Sequence, residues 1–152
     1  MSEESFSKLC SVWNVIGPFN MDLFSHRLIL QKKVFLLQAA GMDLGYTFRK
    51  YIRGPYCSSL TNDGYKVKAA ENISGTNGCS EKGIKIVLEI GKGHENDHKW
   101  FELIATIVYY YKTEHLNRSK IKETIFEEKP HLANDSLFDE AYGKLVSLEL
   151  VS

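Results

Sequence analysis

Long apolar runs are missing from this 152-residue chain. Its greasiest stretch, Trp100 to Tyr111, is 12 residues long. A helix crossing a bilayer needs about 20, so no membrane span is expected. Cysteine is scarce. Cys10, Cys57 and Cys79 are odd in number and widely spaced, and no C-x-x-C occurs. That argues for free thiols in a reducing compartment rather than a disulfide framework. The opening MSEESFSK is acidic and polar, without the basic region and apolar core of a signal peptide. A cytoplasmic protein is the expectation. There is no phosphate-binding glycine loop and no G-x-S-x-G, so no cofactor is expected. An excess of one charge is also lacking, since 19 Lys and Arg balance 19 Asp and Glu.

What is present is the composition of an ordinary globular protein, 43% hydrophobic and 25% charged. The length suits one domain over residues 1–152, and no repeat or linker divides it. Residues 100–113, WFELIATIVYYYKT, are organising. Ten of the twelve residues from Trp100 to Tyr111 are apolar or aromatic, so as a helix this segment is greasy all round and belongs in the interior. Its lone carboxylate, Glu102, falls in the first turn, where the helix dipole tolerates negative charge.

Other helices are placed by spacing and stop signals. Phe6, Leu9, Cys10, Trp13 and Ile16 define one over residues 5–16, ended by Gly17-Pro18. Residues 19–24 connect it to the next, with Asp22 or Ser25 as cap. That next helix covers residues 27–41, with Lys32 and Lys33 on its solvent side and Gly41 at its C-cap. Residues 46–53, YTFRKYIR, change period and read as a short strand with Arg49, Tyr51 and Arg53 on one face. Gly54-Pro55 reads as a turn, with Pro55 at the first position of a helix running to about Ala70, and Asp63-Gly64 as a candidate interruption of it. Residues 71–80, polar and glycine-containing, read as a loop. Residues 84–90, IKIVLEI, fit a strand by alternation and a helix by Ile84, Val87 and Leu88. Helices over residues 119–129, capped by Asn117 or Ser119, and 135–148 complete a mainly α fold.

His94-Glu95-Asn96-Asp97-His98 matches H-E-x-x-H, in which two His at i and i+4 on one helix ligate zinc and the Glu acts as base. Its context argues against a zinc hydrolase. It follows Gly91 and Gly93, so it lies in a turn or in the first turn of a helix, and Asp97 reads as the N-cap of the apolar helix. No metal site is therefore expected. Cys57, near a helix start where thiols become acidic, lacks a nearby His and reads as a small buried residue.

Charge is uneven along the chain. Residues 26–70 hold eight Lys and Arg against Asp43 and Asp63, a net of +6. A solvated face is the plain reading; the functional one is a surface for an acidic partner. Arg27, Lys32, Lys33, Arg49, Tyr51 and Arg53 are its candidate contact residues. A DNA-binding regulator is the alternative, using this block or the last helices as a helix-turn-helix. The would-be recognition helix carries Asp135, Asp139 and Glu140 against Lys144, the wrong sign for a groove. No coherent catalytic set emerges, so the expectation is a non-enzymatic domain that binds a protein partner.

Two stretches carry a family resemblance. RLILQKKVFLLQAAGMDLGYTFRKYIRGPYC resembles the helix, strand and Gly-Pro turn of the YwgA-like proteins, small uncharacterised proteins of bacteria and archaea. HKWFELIATIVYYYK resembles the same group's tryptophan-led helix, and the similarity spans about residues 25–113. More distantly, LQKKVFLL followed by a Gly-Pro turn looks like the Panacea domain, SocA-like, of antitoxins and related regulators. The resemblance implies a mostly helical domain, favours helix over residues 80–90, transfers no catalytic residues, and suggests a regulatory role, such as neutralising a protein partner.

Overall fold

The computed structural model describes residues 3–69 and 81–152. The expected glycine-containing loop, with Cys79, lies outside the described residues. The element order is α1 (Glu3–Ile16), α2 (Phe24–Ala39), β1 (Arg49–Tyr51), β2 (Gly54–Tyr56), α3 (Ser58–Ala69), α4 (Glu81–Gly91), α5 (His98–Lys112), α6 (Arg118–Glu128), a 3-10 turn (Pro130–Leu132) and α7 (Asp135–Ser147). This is the mainly α architecture expected, with a short β element at the expected place.

Helix α5 is the interior element. Trp100 to Val108 and Tyr110 are all buried. It packs against α2, α6, α7 and β2. Asp97 caps it, accepting from the Trp100 amide at 3.1 Å, and the Trp100 indole N–H donates to the Ile90 carbonyl at 2.9 Å. Asn117 and Asn134 cap α6 and α7 in the same way. Residues 84–90, left open between helix and strand by their pattern, lie within α4.

Helix α2 departs from expectation in an instructive way. It starts at Phe24, and neither Asp22 nor Ser25 caps it; Leu23 holds the cap position without a side-chain bond. Its end is a Schellman turn: the Met42 amide donates to Leu37, the Gly41 amide to Gln38, and Gly41 takes φ +101°. Lys32 and Lys33, expected in solvent, are drawn inward. Lys32 is 1% exposed. The Lys33 ammonium donates to the Ile16 carbonyl at 2.6 Å and lies over the Phe19 and Phe101 rings.

The reason lies in the chain that α2 must support. Residues 44–57 are mostly irregular, so their backbone polar groups need partners. Polar side chains of α2 supply them. Gln38 donates to the Tyr46 carbonyl and accepts from the Leu44 and Tyr46 amides. Gln31 donates to the Cys57 carbonyl and accepts from its amide, both at 2.8 Å. Lys32 donates to the Pro55 carbonyl at 2.8 Å. A helix that carries its polar groups inward does not show the usual stripe.

The strand expected over residues 46–53 shrinks to three residues, because Tyr46 is instead buried, its hydroxyl on Asp63 at 2.7 Å. Pro55 is not a first helical residue. It lies in β2 opposite Lys50, in an antiparallel hairpin that pairs Arg49 with Tyr56 and Tyr51 with Gly54. α3 runs uninterrupted through Gly64, where an added Cβ would come within 2.7 Å of the Met21 methyl.

Candidate functional site

The most unusual residue of the core is Glu102. It faces the interior one turn inside α5, 1% exposed, so a dipole at the helix start does not explain its charge. Lys129, itself buried, donates to Oε2 at 2.9 Å, and the His131 Nε2 lies 3.3 Å from both carboxylate oxygens. Lys129 follows the α6 C-terminus and His131 lies within the 3-10 turn. A buried carboxylate without such partners would be severely destabilising. The lone acid of the greasy helix thus ties α5 to the segment joining α6 and α7.

The same cluster fixes the hairpin. Lys129 also donates to the Ile52 carbonyl, and Lys32 to the Pro55 carbonyl. Two buried lysines thereby hold the backbone on both sides of the Ile52-Arg53 tip. Burial lowers the Lys32 amine to about pH 7; Glu102 opposes this and Lys129 adds to it. Gly54 permits the close approach. Its φ is +93°, and a Cβ there would stand 3.0 Å from Thr106 Oγ1.

The hairpin holds an apolar tip out in solvent. Ile52 is 87% exposed, between Tyr51 at 56% and Phe24 of α2 at 52%. The Tyr51 and Tyr56 rings meet edge to face at 5.4 Å, a diagonal cross-strand pair. Arg53 and Arg27 both lie over the Phe24 ring, at 5.3 and 5.8 Å. Under one side of the tip, Phe24, Leu28, Tyr51, Tyr56, Arg53 and Lys32 line a pocket of about 260 Å³. Under the other, Lys50, Tyr110, Glu128 and Lys129 line a cleft of about 460 Å³. There Lys50 donates to the Tyr110 hydroxyl at 2.9 Å, and that hydroxyl donates to Glu128. The bond to Tyr110 holds the Lys50 amine above its ordinary range.

Of the residues read from the sequence as contacts, Arg27, Tyr51 and Arg53 gather around Phe24, and Arg49 is exposed on β1. Lys32 lies at the base of the pocket rather than on the surface, and Lys33 points away toward Ile16. Phe24, Ile52, Glu102, Lys129 and His131 were not singled out as site residues. The one available signal was Glu102, a solitary charge in an otherwise apolar helix.

The H-E-x-x-H stretch does not form a zinc helix. His94 precedes α5, stacks on Trp100 at 3.9 Å between ring centres, and faces Asp97 and Glu140. His98 opens α5, so the two imidazoles do not share a helical face. Among the described residues no group of three or more His, Cys, Asp or Glu could hold a metal ion. Cys57 is buried beside Ser59 at the start of α3, 3.2 Å from its hydroxyl. In α7, Asp139 pairs with Arg118 and Lys144 with Glu89. Among the described residues no helix is long and apolar enough to cross a membrane. Comparison with known families, with curated proteins and with solved structures returns no match to this chain.

Proposed function

We propose that this chain is a non-enzymatic regulatory domain that docks on a protein partner through the hairpin tip. The observation that carries this reading is Ile52, 87% exposed between Tyr51 and Phe24, on a backbone anchored by two buried lysines. An exposed apolar and aromatic cluster rimmed by arginine has the chemistry of a protein-contact centre. Preorganisation lowers the entropic cost of association. The partner presents an apolar recess ringed by carboxylates, complementary to Arg27, Arg49 and Arg53. The resemblance to antitoxin-like regulators supports neutralisation of a protein partner in the cytoplasm.

The test is affinity capture from the native cell extract with the wild-type chain, Ile52→Asp, Arg53→Glu and a distant control, Lys120→Glu. A specific protein retained by wild type and control but lost from both tip variants supports the reading. Equal retention by all four, or no specific protein with wild type, overturns it. Capture of nucleic acid alone, weakening steeply with salt, would favour the DNA-binding alternative.

A further inference from the structure

The pocket under the hairpin has a composition of its own. Its walls are apolar and aromatic: Phe24, Leu28, Tyr51 and Tyr56. Its charged members are both basic, Lys32 at the base and Arg53 at the rim, and no carboxylate lines it. Lys32 as a residue is 1% exposed, and among the described residues its ammonium has one hydrogen-bond acceptor, the Pro55 carbonyl at 2.8 Å, where an ammonium offers three donors. Glu102, the carboxylate whose field reaches Lys32, is engaged by Lys129 and His131. A volume of about 260 Å³ admits a small organic molecule.

We infer that this pocket binds a small organic monocarboxylate with an aromatic or short aliphatic body, its carboxylate directed at Lys32 and its body held between Phe24, Leu28, Tyr51 and Tyr56. Apolar walls reject inorganic phosphate and hydrophilic anions, which would lose hydration without compensation. The cations at base and rim reject amines of the same shape. The pocket is formed by the isolated chain, so this binding stands independently of any protein partner. Because Tyr51 and Arg53 belong to both pocket and tip, an occupant would adjust the docking surface directly.

The groups around Lys32 set a pH signature. They are Glu102 of α5, Lys129 before the 3-10 turn and His131 within it, and Arg53, Tyr51 and Tyr56 of the hairpin. Lys32 titrates at about pH 7, and the carboxylate pairs with its protonated form. Affinity is therefore highest below pH 7 and falls as pH rises above it, with proton uptake on binding.

Titrate the isolated chain with phenylacetate, phenylacetamide and 2-phenylethylamine, following aromatic resonances and calorimetric heats at pH 6, 7.5 and 9. Phenylacetate is expected to bind with a Kd on the order of 0.1–1 mM. It should bind at least tenfold tighter than the amide, while the amine shows no binding. Lys32→Met should lose at least tenfold for phenylacetate and little for the amide. Should that variant misfold, the Lys32 side-chain carbon resonance of the wild type gives the answer: saturating phenylacetate should raise its titration midpoint by at least one pH unit. Equal binding of acid and amide, no binding to about 10 mM, or an unmoved Lys32 midpoint would overturn the assignment.

Discussion

Replacing Lys32 with Met removes a buried amine while roughly keeping its shape, and the consequence depends on pH with a definite sign. In the unfolded chain Lys32 titrates at its ordinary value of 10.5; in the fold, burial brings it to about 7. The folded state therefore binds fewer protons than the unfolded state between these values. Below pH 7 both forms are charged and folding bears the full cost of burying the ammonium. As pH rises from 7 toward 10.5, that cost is relieved by about 1.4 kcal/mol per pH unit, on the order of 4 kcal/mol by pH 10. The Met variant lacks the cost but also lacks the hydrogen bond to the Pro55 carbonyl, worth about 1 kcal/mol. It should thus be more stable than wild type at pH 6 and slightly less stable near pH 10. Urea unfolding of both proteins at four or five pH values, compared as a difference so that other titrating groups cancel, checks this. A flat difference, or one in which the variant gains on wild type as pH rises, would refute the argument that Lys32 is held as a desolvated amine.

Other consequences are as specific. Glu102→Gln leaves Lys129 buried without its counter-charge and should cost about 3–5 kcal/mol in urea unfolding. Replacing both with hydrophobic residues of similar volume should recover much of that loss. Gly54→Ala meets both a left-handed backbone and Thr106 Oγ1, so a loss of about 1–3 kcal/mol is expected, with faster amide exchange confined to residues 49–56. Trp100→Ala and Ile104→Ala, both in the α5 core, should each lower stability by about 2–5 kcal/mol; losses under about 1 kcal/mol at both would misplace the central helix. Arg49→Glu with Arg53→Glu should leave stability within about 0.5 kcal/mol while abolishing partner capture.

The parts of this fold visible in the sequence are those governed by local rules. Asp97 as the cap of α5, the Gly41 terminus of α2 and the dry interior of WFELIATIVYYY follow from neighbours within one or two turns. Local rules fail where distant segments decide. Lys32 and Lys33 follow Gln31 on a helix, and adjacent lysines ordinarily mark solvent. Here Lys32 serves the Pro55 carbonyl of the hairpin 23 positions later, and Lys33 serves the Ile16 carbonyl at the end of α1, 17 positions earlier. Pro55 at a helix start is sound by local preference, yet the pairing of Lys50 with Pro55 places it in a hairpin. The candidate site was half legible for the same reason. Arg27, Tyr51 and Arg53 stood out by chemistry, but only the fold reveals that they converge on Phe24. Glu102 announced an anomaly without naming Lys129, 27 positions away.

The hairpin tip is the face proposed to meet a partner. A photo-crosslinking phenylalanine derivative placed at Ile52, with a second chain carrying it at the exposed Val146 of α7, tests this in the native cell extract. A defined protein adduct formed from position 52 and absent from position 146 is the result the account predicts. Adducts from position 146 alone would contradict it.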